Sequence, residues 1–331
     1  MVNPAAMRSA SLVLSSRLGR RSQGAFLGTL PAWHGHQQHQ QRSSPPVPRG
    51  NDQHTQVKPP QRKNFSSTPE LTHQQIKGRR RFYKHVTIRE ISSQDNEKNR
   101  ERRWEVLLDS RVLKTPGRRA LEFDSPELAM AVAAEWDAQD TTKGIEPAVM
   151  PLMSLASTAI DQVASDRERT ISTCLKYLPT DTVCFLSPDP DPVIARRQRQ
   201  LWSPLREWIE EALGIPVATT TEIHRKPEHS PEALKQARRV LESMDEWGLA
   251  AVQSVTMECK SLVIALALLF RKTTVEKAFD AARLEEEYNV ERWGMIEGGH
   301  DMDRGNTTLT LTAASTLIWL RSASLPKPSL A

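Results

Sequence analysis

The amino-acid sequence predicts an α+β protein, with a small N-terminal β-rich domain followed by a larger, all-α helical domain. Three observations carry that prediction. Residues 81–91 and 104–108 are rich in aromatic and β-branched side chains, and Trp104, Val106 and Leu108 alternate onto one face of an extended strand. Beyond Pro151, Ser, Thr and Pro recur at the positions of helix starts, with little strand signal between them. Residues 247–270 become apolar on nearly every face toward their C-terminal end, as the buried central helix of a bundle would be. The expected organisation is a transit peptide and disordered linker over 1–78, the β-rich domain over 79–150, the helical domain over 151–322 and a flexible tail over 323–331.

The first 78 residues hold ten Lys or Arg against two acids, Asp52 and Glu70, which leaves 35 basic and 38 acidic residues for the rest. The pI of 9.2 therefore belongs to the N-terminal segment, and the body gives no reason to expect a nucleic-acid partner. Up to Gly50 there are six arginines, seven serines and no Asp or Glu, the composition of a mitochondrial transit peptide. Leu12, Val13, Leu14 and Leu18 among Arg8, Arg17, Arg20 and Arg21 suit a short basic amphipathic helix. A secretory signal is the competing reading, but it needs an apolar core of roughly 7–15 residues, and Ser15, Ser16 and Arg17 cut this one short. Residues 31–72, rich in His, Gln, Pro and Ser, read as a linker with too few apolar residues to order, and His34, His36 and His39 as part of that spacer.

In the β-rich domain, the polar residues 92–103 read as an exposed loop between the first two strands. Residues 109–111 turn the chain into a third strand at 112–115, Pro116-Gly117 ends it, and 121–123 make a fourth. Ser125 followed by Pro126 starts a helix running to about Gln139, and Gly144 and Pro147 mark the exit. Later helix starts are expected at Ser165 and Thr273, where Glu168 and Glu276 complete capping boxes, and at Ser203-Pro204 and Ser230-Pro231. Gly214 and Pro216 stop one helix, and 217–223 form a short extended piece.

The longest uninterrupted apolar stretch, 262–270, is nine residues, against about 20 needed to cross a bilayer, so no membrane span is expected. Cys174, Cys184 and Cys259 lie far apart, which supports neither a disulfide framework nor a zinc ribbon and suits a reducing compartment. Phosphate-loop, dinucleotide, zinc-protease, dithiol and nucleophile-elbow motifs are all absent from the sequence. Glu297, His300 and Asp301 have the spacing of one helix face, but a di-metal carboxylate bundle needs Glu-x-x-His twice plus two further glutamates. No metal and no cofactor is expected.

At 100° per residue from Val275, the residues Val275, Ala278, Phe279, Ala282, Val290 and Trp293 form one apolar stripe. Glu286 falls in its middle, and Glu297 and His300 join it if the helix persists. Glu135 falls likewise among Leu128, Ala131, Val132 and Trp136. A buried carboxylate needs a partner. One reading is internal: Glu135 and Glu286 meet an arginine such as Arg283, or a helix N-terminus. The other is functional: they rim an apolar, Trp-containing patch presented to a partner. Glu287 and Arg283 read as an ordinary i, i+4 surface salt bridge. Trp136 and Trp247 read as core.

Glu135-Trp136-Asp137-Ala138-Gln139, residues 178–182, and above all Arg283-Leu284-Glu285-Glu286-Glu287 with Trp293-Gly294, Glu297 and His300-Asp301 resemble one known family. This is the mitochondrial F1-ATPase assembly chaperone that handles the alpha subunit, the ATP synthase F1 complex assembly factor 2 family. The likeness extends over residues 80–320. It implies a soluble matrix protein, monomeric before binding and without enzymatic activity, that holds newly imported alpha subunits until they meet beta. It implies no ATP hydrolysis, so release comes through competition by the correct partner. Glu286, Glu297, Trp293, His300, Asp301, Arg283, Glu287 and Glu135 are then the candidate partner-binding residues. The polar insert near Asn96 and the long N-terminal extension depart from the compact family pattern, and Gly298-Gly299 and the Thr-rich run 307–312 weaken the expected last helix. The alternative function is a matrix enzyme using Glu286, Glu297 and His300 as an acid–base cluster on one face.

Overall fold

A computed structural model describes residues 78–92, 102–188, 192–222, 224–295 and 300–321, all within one compact unit. The transit peptide, most of the linker, residues 93–101 of the polar loop, Glu297 and the C-terminal tail lie outside the described residues. The N-terminal part is a small antiparallel sheet and the rest is helical, as the α+β reading requires. β1 (Val86–Ser92) pairs with β2 (Arg102–Leu108) from Val86↔Leu108 to Ser92↔Arg102. β2 is central: β3 (Arg111–Val112) joins it at Leu107↔Val112, and β4 (Glu122–Phe123) at Trp104↔Phe123. The turn between β2 and β3 places Asp109 at φ 55°, and its carboxylate accepts the Lys84 and His85 N–H groups at 3.1 and 2.9 Å.

Three details of the sheet differ from the sequence expectation. The first strand begins at Val86 because Arg81 and Tyr83 turn away to hold the end of the following helix, Tyr83 Oη donating to the Trp136 carbonyl at 2.6 Å. Both strands extend into the expected loop, β1 to Ser92 and β2 back to Arg102. Burial on β2 does not alternate, since Glu105 and Leu107 are buried as well as Val106 and Leu108. Glu105 is tolerated there because Arg89, directly across on β1, donates Nε to its carboxylate at 2.7 Å.

α1 (Pro126–Asp137) starts as expected, with Ser125 Oγ accepting the Leu128 N–H at 3.2 Å, and packs on β1 and β2. α2 (Pro151–Ser157) runs into a π-helical turn, Thr158–Val163. Asp161 on that turn accepts Thr115 Oγ1 at 2.7 Å and the Gly117 N–H at 2.8 Å. A Cβ at Gly117 would stand 2.5 Å from Asp161 Oδ1, so this close approach needs glycine.

The remaining helices are α3 (Arg167–Leu175), α4 (Pro192–Leu201), α5 (Ser203–Leu213), α6 (Pro231–Glu242), α7 (Glu246–Cys259), α8 (Leu262–Leu269), α9 (Val275–Ala282), α10 (Leu284–Trp293) and α11 (His300–Leu320). Gly214 at φ 66° ends α5, and Ser230 caps α6, both as read from sequence. Three caps are displaced. Asp166 rather than Ser165 caps α3, because the Ser165 hydroxyl donates to the Asp161 carbonyl at 2.7 Å. Thr274 rather than Thr273 caps α9, and Ser203 lies inside α5, where its hydroxyl accepts Arg206.

Residues 247–270 are largely buried, with Met257 and Lys260 exposed, and they are two helices. Lys260 at φ 51° ends α7, and Ser261 caps α8 by accepting the Ile264 N–H at 3.0 Å. Asp181, fully buried, holds this break by accepting Ser261 Oγ at 2.6 Å and the Val263 N–H at 3.1 Å. Burial pushes its carboxyl up to about 6 against those hydrogen bonds. α11 runs unbroken through the Thr-rich segment, its Leu311, Ala314, Leu317 and Ile318 buried in the shared core and Thr307 donating to Glu258 at 2.5 Å. Tertiary burial overrides the weak helix propensity of threonine there. Trp136 and Trp247 are buried, and one continuous apolar core joins sheet and helices.

Candidate functional site

The apolar stripe drawn from Val275 assumes one helix, and the chain breaks that helix at Arg283. Arg283 sits at φ −108°, ψ 12°, closing α9 and opening α10. The break resets the helical phase. Leu284 and Tyr288 take the buried positions of α10, and Glu286 turns outward with its side chain 54% exposed. Trp293, which the helical projection put on the apolar stripe, is 80% exposed at the end of α10, and Gly294 at φ 86° stops the helix there.

Arg283 is buried and organises the carboxylates around it. Its guanidinium pairs with Glu286 at 2.8 Å and with Glu287 at 3.3 Å, and stands 5.9 Å from the Phe279 ring centre. Glu287 also receives Arg304 of α11, whose Nε donates at 2.9 Å. Arg304 first and Arg283 second hold the Glu287 carboxyl below the usual range. The expected surface salt bridge is therefore a half-buried network that fastens α10 to α11. On the other side of α10, Arg197 of α4 makes a two-pronged pair with Glu291 at 3.0 and 2.7 Å, and Gln198 donates to Glu285 at 3.1 Å.

Beside this network the protein shows apolar side chains to solvent: Trp293, Met295 and, on the first turn of α11, Met302. Arg304 Nη1 lies 3.7 Å from Met295 Sδ, which places the exposed methionine against the ion-pair network. Asp301 is exposed on the same first turn. His300 opens α11, its side chain lying outside the described set together with Glu297.

Glu135 belongs elsewhere. Its two oxygens accept the Leu152 and Met153 N–H groups at 2.8 Å each, so it caps the N-terminus of α2 from α1. Burial pushes its carboxyl up to about 7, opposed by these two hydrogen bonds. Of the eight candidates, the structure gathers Arg283, Glu286, Glu287, Trp293 and Asp301 around the α10–α11 junction and puts Glu135 inside the fold. The sequence reading missed Arg304, Met295 and Met302 at that junction. The Met302-Asp303-Arg304 stretch following Trp293-Gly294-Met295 was the available signal, but nothing local says that residues 293–295 face 302–304. No group of three His, Cys, Asp or Glu side chains able to hold a metal occurs among the described residues.

Residues 80–210 match the family described as ATP12 chaperone protein. The chain is 29% identical over 224 residues to protein atp12, mitochondrial, of Schizosaccharomyces pombe, covering 64% of this chain and 76% of that one. It is 24% identical over 279 residues to protein ATP12, mitochondrial, of Saccharomyces cerevisiae, covering 72% and 83%. The crystal structure of Atp12 from Paracoccus denitrificans superposes with a TM-score of 0.63 at 28% identity, over 73% of this chain and 98% of that one. Residues 80–210 therefore match an ATP12 chaperone family domain, and the fold of the chain is similar to that of Atp12 from Paracoccus denitrificans.

Proposed function

We propose that this protein is an assembly chaperone of the mitochondrial F1-ATPase that binds the unassembled alpha subunit in the matrix without ATP hydrolysis. The mitochondrial names of both relatives and the basic, acid-free residues 1–50 support the compartment. The observation that carries the binding role is Trp293: a large aromatic side chain left 80% exposed beside an ion-pair network that holds its helix rigidly. An anchor of this kind, with charged groups at its rim, is how a surface combines affinity with selectivity. An alpha subunit without neighbours exposes the apolar surface that beta later covers, and such surface aggregates. Glu286 at the rim presents a charge to that surface, and Arg283 orients it.

The acid–base reading loses its geometric basis. It required Glu286, Glu297 and His300 on one helical face, and the helix ends at Trp293. The test is direct binding of purified F1 alpha subunit, with and without ATP, to the wild type and to Trp293→Ala. Nucleotide-insensitive binding by the wild type, weakened in Trp293→Ala at unchanged melting temperature, is the expected result. Failure of the wild type to bind alpha would sink the proposal.

A further inference from the structure

α11 carries two opposite seams. The inner one, Thr307, Leu311, Ala314 and Ile318, is buried in the core. The outer one is Met302, Gly305, Leu309, Thr312, Thr316 and Trp319, whose spacings alternate between three and four residues over the whole length. That is the 3.5-residue repeat with which one helix packs along another. Met302 is 68%, Leu309 42% and Trp319 62% exposed, Gly305 and Thr312 are exposed, and Thr316 is half-buried. No charged residue occurs from Gly305 to Leu320, although the exposed face of α6 carries Glu232, Lys235, Arg239 and Glu242. A solvent-facing helix normally keeps its outer face charged.

Both ends of the helix are clamped. Arg304 pairs with Glu287 at one, and at the other Arg321 is held by Asp124 at 3.0 Å and Asp245 at 2.8 Å while Ser125 Oγ donates to the Leu320 carbonyl at 2.7 Å. The seam is thus presented by a rigid helix, and a partner meets little ordering cost on this side. Its length, Met302 to Trp319, is about 25 Å at 1.5 Å per residue, which spans some five turns of an opposing helix. Gly305 and the threonines leave room for close approach, with Leu309, Met302 and Trp319 as knobs. At the N-terminal end Asp301 and Asp303 are exposed and make no ion pair within 4 Å among the described residues.

We infer that the outer seam of α11 docks an amphipathic helix of the client, apolar along its contact face and carrying Lys or Arg where it passes Asp301 and Asp303. This rests on the alpha-subunit reading and names the part of the client surface involved. A cation there finds two exposed carboxylates that make no ion pair within 4 Å among the described residues, whereas an acidic helix would be repelled, so the charge pattern fixes which end of the partner helix lies there.

The experiment compares purified alpha-subunit binding by the wild type, Leu309→Glu, Trp319→Ala and Asp301→Asn with Asp303→Asn, alongside melting curves. Leu309→Glu is expected to weaken binding roughly tenfold or more, since a charge would be buried in the seam, with the melting temperature unchanged because the site is exposed. The double Asn variant is expected to bind more weakly at low salt and equally at high salt. A photo-crosslinking residue at Thr312 should attach to a helical segment of alpha. Normal binding by Leu309→Glu, or a Thr312 crosslink to a strand or loop, would overturn the seam while leaving the chaperone reading intact; no binding by the wild type would overturn both. Concentration-dependent dimers of the protein alone, abolished by Leu309→Glu, would show that a second copy occupies the seam and would also overturn the inference.

Discussion

Glu135 and Glu286 are chemically the same side chain and do opposite work. Glu135 leaves α1 for the interior, meets two backbone N–H groups and fixes where α2 begins. Glu286 leaves α10 for solvent, and its partner Arg283 is the buried member of the pair. A carboxylate in the interior is held by donors that have nowhere else to go, so its removal is felt by the fold. A carboxylate at the surface is held by one cation and remains free to meet another, so its removal is felt by whatever binds there.

The sharpest way to test the interior half is Asp181, a fully buried carboxylate held by a hydroxyl and backbone N–H groups. Asp181→Ala orphans the Ser261 hydroxyl and the Val263 N–H at the break between α7 and α8, and is expected to cost about 3–5 kcal/mol. Chemical denaturation of the two proteins measures it; a cost below about 1 kcal/mol would show that the break holds itself. Next comes Glu135→Ala, which strips the cap of α2 and should cost about 1–2 kcal/mol.

The pH dependence of Glu135 sharpens the contrast further. Its carboxyl is pushed up to about 7 from the ordinary 4.5, so between these values the folded protein holds a proton that the unfolded chain has released. Stability from this group is therefore full below about 4.5 and is lost as pH rises through about 7. Glu135→Gln is expected to flatten that part of the melting-temperature profile between pH 5 and 8. A profile parallel to the wild type would show that Glu135 titrates normally.

The smallest effect on stability belongs to Glu286→Gln. Its exposed side chain and single ion pair predict a change within about 0.5 kcal/mol, yet alpha-subunit binding should weaken measurably if Glu286 rims the docking surface. Thermal melts and binding on the same preparation separate the two. A variant that melts lower and binds normally would move Glu286 to the same class as Glu135.

The sequence alone determined what depends on near neighbours. The α+β order, the Ser125 and Ser230 caps, the Gly214 stop and the buried tryptophans follow from residues within a few positions of one another, where steric and hydrogen-bonding preferences act without help from the rest of the chain. Tertiary structure decided the rest. Neither Lys260 nor Arg283 is a helix breaker by type, and the two breaks that shape the C-terminal half are stabilised by groups distant in sequence: Asp181, 80 residues before Ser261, and Arg304, 17 residues after Glu287. Helical phase is a running sum of local turns, so one break settled from afar moves every later residue to a new face. That is why the stripe from Val275 grouped Glu286 and Trp293 with Ala278 and Phe279 while leaving open whether they faced the core or a partner, and why only the packed molecule could show them facing solvent.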